Sequence, residues 1–141
     1  MNTLRVLVVD DSEVIRRGVC TLLEGQPELH IVSMATDGVE AVELAEEQQP
    51  DVILLDISLP RLNGIEAARQ IRRVAPQAKI LFLSQYDTWA TAREALRTGA
   101  TGYVVKSDAA FELIPGVWSV WYGKSFVSSS LAAHDLRRTS R

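Results

Sequence analysis

A single cysteine, Cys20, stands in the 141 residues, so no internal disulfide can brace this chain. No apolar run approaches the roughly 20 residues that cross a bilayer, and the N-terminus lacks the apolar stretch of a secretion signal. Both absences point to the reducing cytoplasm. A charge excess of one sign is missing too. Fifteen basic and 18 acidic residues leave a net charge of −3, which is not the basic balance of a nucleic-acid-binding chain. The two histidines, His30 and His134, have no companions at ligand spacing, which argues against a histidine metal site. The triplet Gly123-Lys124-Ser125 resembles the end of a phosphate loop. However, Trp118 stands where the earlier glycine belongs, and the triplet closes a helix instead of opening one.

What is present is an ordinary globular composition, 47% hydrophobic and 23% charged, in a length that suits one domain with a full core. Strand and helix patterns alternate. Strand runs are expected at Leu4–Val9, Leu29–Ala35, Val52–Asp56, Lys79–Leu83 and Gly102–Val105. Helices are expected from a cap at Ser12 to Glu24, from Asp37-Gly38 to Gln48, from Asn63-Gly64 to just before Pro76, from Asp87 to Arg97 and from Ala109 to Tyr122. Cys20 falls in the first helix beside Val19 and Leu22 and reads as a packed residue. Pro115-Gly116 predicts a kink or a delayed start in the last helix. Five such units make an α/β fold, a doubly wound parallel sheet with helices on both faces. Among its possible orders, 2-1-3-4-5 puts strands 1 and 3 side by side at the switch point, as in flavodoxin-like folds.

That order gathers chemistry at one rim. Val52-Ile53-Leu54-Leu55 is apolar without a break, as a strand covered on both faces must be, and it ends in Asp56. Strand 1 ends in Asp10-Asp11. Three carboxylates meeting there repel one another unless one is protonated or a hard cation sits among them. Mg²⁺ suits oxygen ligands of this type. Asp56 is then placed to act as a nucleophile toward a phosphoryl group. Ser84 offers a hydroxyl, and Lys106 a cation, to the phosphoryl oxygens.

Asp10-Asp11, Asp56 with the following Pro60, Ser84, and Gly102-Tyr103-Val104-Val105-Lys106 together resemble the receiver domain of two-component response regulators. The similarity covers about residues 3 to 123. Leu83-Ser84-Gln85-Tyr86-Asp87 and Arg93-Glu94-Ala95-Leu96 look closest to receivers that precede a LuxR/NarL-type helix-turn-helix. The resemblance implies phosphorylation of Asp56 by a partner histidine kinase or a small phosphodonor. It implies Mg²⁺ held by Asp10, Asp11, Asp56 and the backbone carbonyl of Ser58. It also implies a switch in which the Ser84 hydroxyl moves inward and Tyr103 follows, changing the face built from helix 4, strand 5 and helix 5. That face is the expected homodimer surface.

Several positions depart from the family pattern. Gln85 replaces a small residue or Met, which alters access to Asp56. Ser107 replaces a common Pro, so a trans bond is expected after Lys106, a cis bond there costing about 3 kcal/mol. Ser58 and Tyr86 occupy positions that tune phosphoryl lifetime, alongside Gln85. Trp89, Trp118 and Trp121 are either packed inward or form an aromatic contact surface; aromatics are enriched at interface centres.

Residues 1–123 are expected to form the receiver and 124–141 a tail or the start of a linker, with a short helical turn within Ser128–His134 and a basic end at Arg137, Arg138 and Arg141. So short a tail cannot hold a helix-turn-helix, so DNA is reached only through an output domain outside this chain. The alternatives are a stand-alone receiver working by protein contact, a degenerate receiver that never takes up phosphate, or a phosphatase of the haloacid-dehalogenase type. The last needs a second acid two residues after the nucleophile, where this chain has Ser58. The expectation is therefore a non-enzymatic switch.

Overall fold

The computed structural model of the chain describes residues 3–131. Its elements are β1 (Leu4–Val9), α1 (Glu13–Glu24), β2 (Leu29–Ala35), α2 (Gly38–Gln48), β3 (Val52–Leu55), α3 (Gly64–Val74), β4 (Lys79–Ser84), α4 (Trp89–Leu96), β5 (Gly102–Val105), α5 (Ala109–Trp121) and β6 (Phe126–Val127). All the strands are parallel and stand in the order β2-β1-β3-β4-β5-β6. The expected doubly wound sheet is present, with one strand more than the sequence suggested.

Local chemistry explains the helix starts. The side chains of Ser12, Asp37 and Asn63 accept from the backbone N–H groups of Ile15, Glu40 and Glu66, satisfying donors that the first turn leaves free. α4 begins two residues later than expected, because the hydroxyl of Thr88, rather than the carboxylate of Asp87, takes the Thr91 N–H.

Alternation along the strands divides the core in two. Leu7, Val9, Ile53 and Leu55 point to the face covered by α2, α3 and α4; Val6, Val8, Val52 and Leu54 point to the face covered by α1 and α5. On α5, Leu113, Val117 and Val120 are fully buried, which sends the outer side of that helix to solvent. Pro115 neither delays nor interrupts α5, which runs through it from Ala109. Phe111, whose carbonyl loses its partner to the proline, is 88% exposed, and Pro115 itself is exposed. Water can therefore satisfy that carbonyl.

The three tryptophans divide. Trp89, at the first position of α4, is half-buried against the core. Trp118 is half-buried and stacks on Tyr122, with ring centroids 6.1 Å apart. Trp121 is 37% exposed.

The stretch assigned to the tail adds to the fold. Phe126 N–H donates to the Thr101 carbonyl and Ser128 N–H to the Tyr103 carbonyl, each at 2.9 Å, so β6 covers the edge of β5. Gly116 makes room for it: a Cβ there would lie 3.2 Å from the Phe126 ring. Residues 129–131 begin a helical turn, and Leu131 is fully buried. His134, Arg137, Arg138 and Arg141 lie outside the described residues. Among the described residues, no helix is long and apolar enough to cross a membrane.

Candidate functional site

The rim of the sheet assembles the site by register. Val9 pairs with Leu55 and Leu55 with Phe82, while Ser84 pairs with Val105. The residues that follow Val9, Leu55 and Val105 are Asp10, Asp56 and Lys106, so all three leave parallel strands at the same end of the sheet, β4 lying between the last two. Carboxylate oxygens of Asp10, Asp11 and Asp56 lie within 4.8 Å of one another. Asp10 and Asp56 are buried and Asp11 is exposed. The Lys106 ammonium is 2.8 Å from Asp10 Oδ2 and 3.3 Å from Asp56 Oδ2.

Each group is held. Asp10 Oδ1 accepts from Ser12 N–H at 2.9 Å, and its backbone carbonyl accepts from Arg16 at 2.7 Å. Asp56 Oδ1 accepts from Ile57 N–H at 2.8 Å. α3 packs directly onto this loop. A Cβ on Gly64 would stand 1.9 Å from the Asp56 carbonyl oxygen, so no larger residue fits.

Burial pushes the Asp56 carboxyl above its ordinary pKa, and the Asp10 charge adds to the rise against the opposing pull of Lys106. Burial alone would lower Lys106. The hydrogen-bonding and charge contributions of Asp10 and Asp56 outweigh it and hold the amine in its charged form to higher pH. Two buried acids and one amine leave an uncompensated negative charge. Asp10 Oδ2 is buried with no well-aligned hydrogen-bond donor, although the Lys106 amine is close. An all-oxygen donor set with a spare lone pair fits a small hard cation such as Mg²⁺.

The remaining candidates form a chain beside the acids. Ser84 is fully buried, and its hydroxyl accepts from Tyr86 N–H at 3.1 Å. Tyr103, also fully buried, donates its hydroxyl to the Tyr86 carbonyl at 2.8 Å. The Tyr86 phenol bonds the Ser58 hydroxyl at 2.9 Å, bridging the loops after β3 and β4. These two side chains line a cleft of about 580 Å³ with Asp11, Asn63 and Arg69. Gln85 is exposed. The Lys106–Ser107 bond is trans, as expected without proline, since the described residues contain no cis peptide. Arg16 and Gly64 were not singled out in the sequence. The position of Arg16 in the first turns of α1, six residues beyond Asp10, was the available signal for its contact.

A sequence profile of the response regulator receiver domain matches residues 6–115. This chain belongs to that family. It is 37% identical over 140 residues to the transcriptional regulatory protein DegU of Brevibacillus brevis, covering 99% of this chain and 59% of that protein. A protein-glutamate methylesterase/protein-glutamine glutaminase of Thermotoga maritima is 43% identical over 111 residues, 78% of this chain and 32% of the enzyme. The crystal structure of a LuxR-family two-component response regulator from Aurantimonas sp. SI85-9A1 superposes with a TM-score of 0.92 at 34% identity, covering 99% of this chain and all of that one. The chain spans about three fifths of the length of the DegU-type relatives it matches.

Proposed function

We propose that the chain is a phosphorylation-controlled switch whose acceptor is Asp56 and whose output is transcriptional. The observation that carries this reading is the placement of one ammonium, Lys106, within 3.3 Å of two buried carboxylates on neighbouring strands. A buried acid beside a half-buried cation at a strand end is arranged to receive a small anionic group.

In this reading Asp56 attacks the phosphorus of a phosphohistidine on a kinase, or of a small phosphodonor. A P–O bond to the carboxylate forms as the bond to the donor breaks, and the donor leaves with its electron pair. Lys106 turns from Asp10 toward a phosphoryl oxygen, and the Ser84 hydroxyl gives up its bond from Tyr86 N–H to donate to another. Asp10, Asp11, Asp56 and the Ser58 carbonyl would hold Mg²⁺, which when bound neutralises charge on the phosphoryl oxygens. Ser58 stands where a phosphatase would carry its second acid, and its hydroxyl is engaged with Tyr86. That favours a lasting acyl phosphate over turnover. Transcription as the output rests on the transcriptional regulators among the relatives; their additional length accommodates a further domain. A receiver followed by a linker, a histidine kinase partner, self-association through the α4–β5–α5 face and a cytoplasmic location belong to the same proposal.

Incubation with acetyl phosphate and Mg²⁺, followed by intact-mass measurement, tests it. One phosphoryl group per chain, lost in Asp56→Asn, is the expected result. Release of inorganic phosphate over many turnovers would favour the phosphatase reading.

A further inference from the structure

The segment after α5 is fastened at three consecutive serines. Asp108 accepts from the Ser128 hydroxyl, from the Ser130 hydroxyl at 2.8 Å and from Ser130 N–H at 3.2 Å. Glu112, one turn along α5, accepts from Ser129 N–H at 3.0 Å and from its hydroxyl at 2.8 Å. These bonds cap the turn that begins at Ser129, and Ser128 is fully buried. The serine donors hold the Asp108 carboxyl below its ordinary pKa although burial opposes them, so the clamp is ionic at neutral pH.

Two features connect this clamp to the acidic rim. Asp108 ends a single 3-10 turn that starts at Lys106, so the amine beside Asp10 and Asp56 and the anchor of the serines share three residues of backbone. On the other side, Val127 stands opposite Tyr103 in register, and Ser128 N–H donates to the Tyr103 carbonyl. Leu131 is buried in the same cluster as Tyr103, Ala92 and Ala95. Docking of residues 126–131 and the inward position of Tyr103 therefore belong to one packing arrangement.

We propose that Phe126–Leu131 is a strap whose docking is coupled to occupancy of the Asp56 site, so that whatever follows Leu131 is steered from the phosphoryl pocket through Lys106, Asp108 and Tyr103. The proposal rests on the functional reading above. A phosphoryl group that draws in Ser84 keeps the cavity for Tyr103 filled by its ring, and the strap closes over that arrangement. Coupling of this kind is reciprocal: the factor by which the anion tightens docking is the factor by which a docked strap tightens the anion, and releasing the strap costs the anion no more than that.

The test uses the full 141-residue chain with Mg²⁺ and beryllofluoride as the probe, read by amide hydrogen exchange at single-residue resolution. Protection of the Phe126, Ser128 and Leu131 amides is expected to rise by about 5-fold or more on adding the probe. Asp108→Asn combined with Glu112→Gln is expected to lose protection at those amides and to bind beryllofluoride more weakly, by up to the factor of protection that the probe adds in the unsubstituted chain. Ser128→Ala, which leaves the carboxylates in place, is expected to do the same to a smaller degree. If the amides around Asp56 and Tyr86 respond while the strap does not, or if the double variant exposes the strap yet binds with unchanged affinity, the coupling is overturned and the functional reading stands. If neither region responds, the functional reading falls and the coupling falls with it.

Discussion

The hydroxyl of Tyr103 donates to the backbone carbonyl of Tyr86 at 2.8 Å, fixing a fully buried aromatic to the loop that also carries the Ser84 contact. Tyr103→Phe removes that donor and leaves the carbonyl unpaired. A loss of about 1 kcal/mol in unfolding free energy is expected, measured by urea denaturation at neutral pH. Loosening of the loop would appear as faster exchange at the Tyr86 amide, which donates to Ser84.

The acidic rim should respond to charge removal in a definite direction. Asp56 is raised in the fold by burial and by Asp10, so its favourable contribution is present below the unfolded-state pKa and is lost as pH rises through the folded one. At neutral pH the metal-free protein carries that cost. Asp56→Asn should therefore raise the thermal midpoint of the metal-free chain at pH 7, with the difference closing toward pH 4. Mg²⁺ should stabilise the unsubstituted chain by about 2.7 kcal/mol at a hundredfold excess over its Kd and do much less for the variant. Thermal scans with and without chelator check both statements.

Lys106→Met acts the opposite way. It strands two buried carboxylates, and breaking such a pair costs about 3–5 kcal/mol. Because the lysine is raised in the fold, its contribution holds through neutral pH and fades only as alkaline pH deprotonates it. Denaturation midpoints should show the deficit at pH 7. At pH 4 it should shrink as the Asp56 carboxyl, raised by burial, takes up its proton.

Gly64→Ala probes the seat of α3 against the acceptor loop. With its new methyl placed 1.9 Å from the Asp56 carbonyl oxygen, the loop or the helix must shift. Overpacking of this kind costs about 1–3 kcal/mol. Weaker Mg²⁺ binding should accompany the lost stability, because the same loop bears the Ser58 carbonyl; calorimetric titration reads that directly.

Much of this was legible because strand ends and caps are local signals. Unbroken apolar runs marked β1 and β3, and the acids that close them had to emerge at one rim once the two strands were neighbours. Ser12, Asp37 and Asn63 cap as their side chains dictate. Less legible were features that depend on contacts between distant segments. In α2 the small residues Gly38, Ala41 and Ala45 are buried while Val42 remains only half-buried. β6 escaped notice because two residues carry no period, and its partners, Thr101 and Tyr103, are named only by the fold. The contacts of Ser128, Ser129 and Ser130 are of the same kind, since Asp108 and Glu112 reach them only once the chain folds back along α5. The start of α4 depended on such a detail, the cap being Thr88 instead of Asp87.

The central claim is that Asp56, among three neighbouring carboxylates, takes the phosphoryl group. Borohydride reduction of the chain after treatment with acetyl phosphate and Mg²⁺, followed by peptide mass spectrometry, locates the acyl phosphate by converting the modified aspartate to homoserine. Homoserine at position 56, with Asp10 and Asp11 unchanged, is the predicted result. Homoserine at position 10 or 11, or phosphate retained on a serine or histidine with Asp56 intact, would contradict the account.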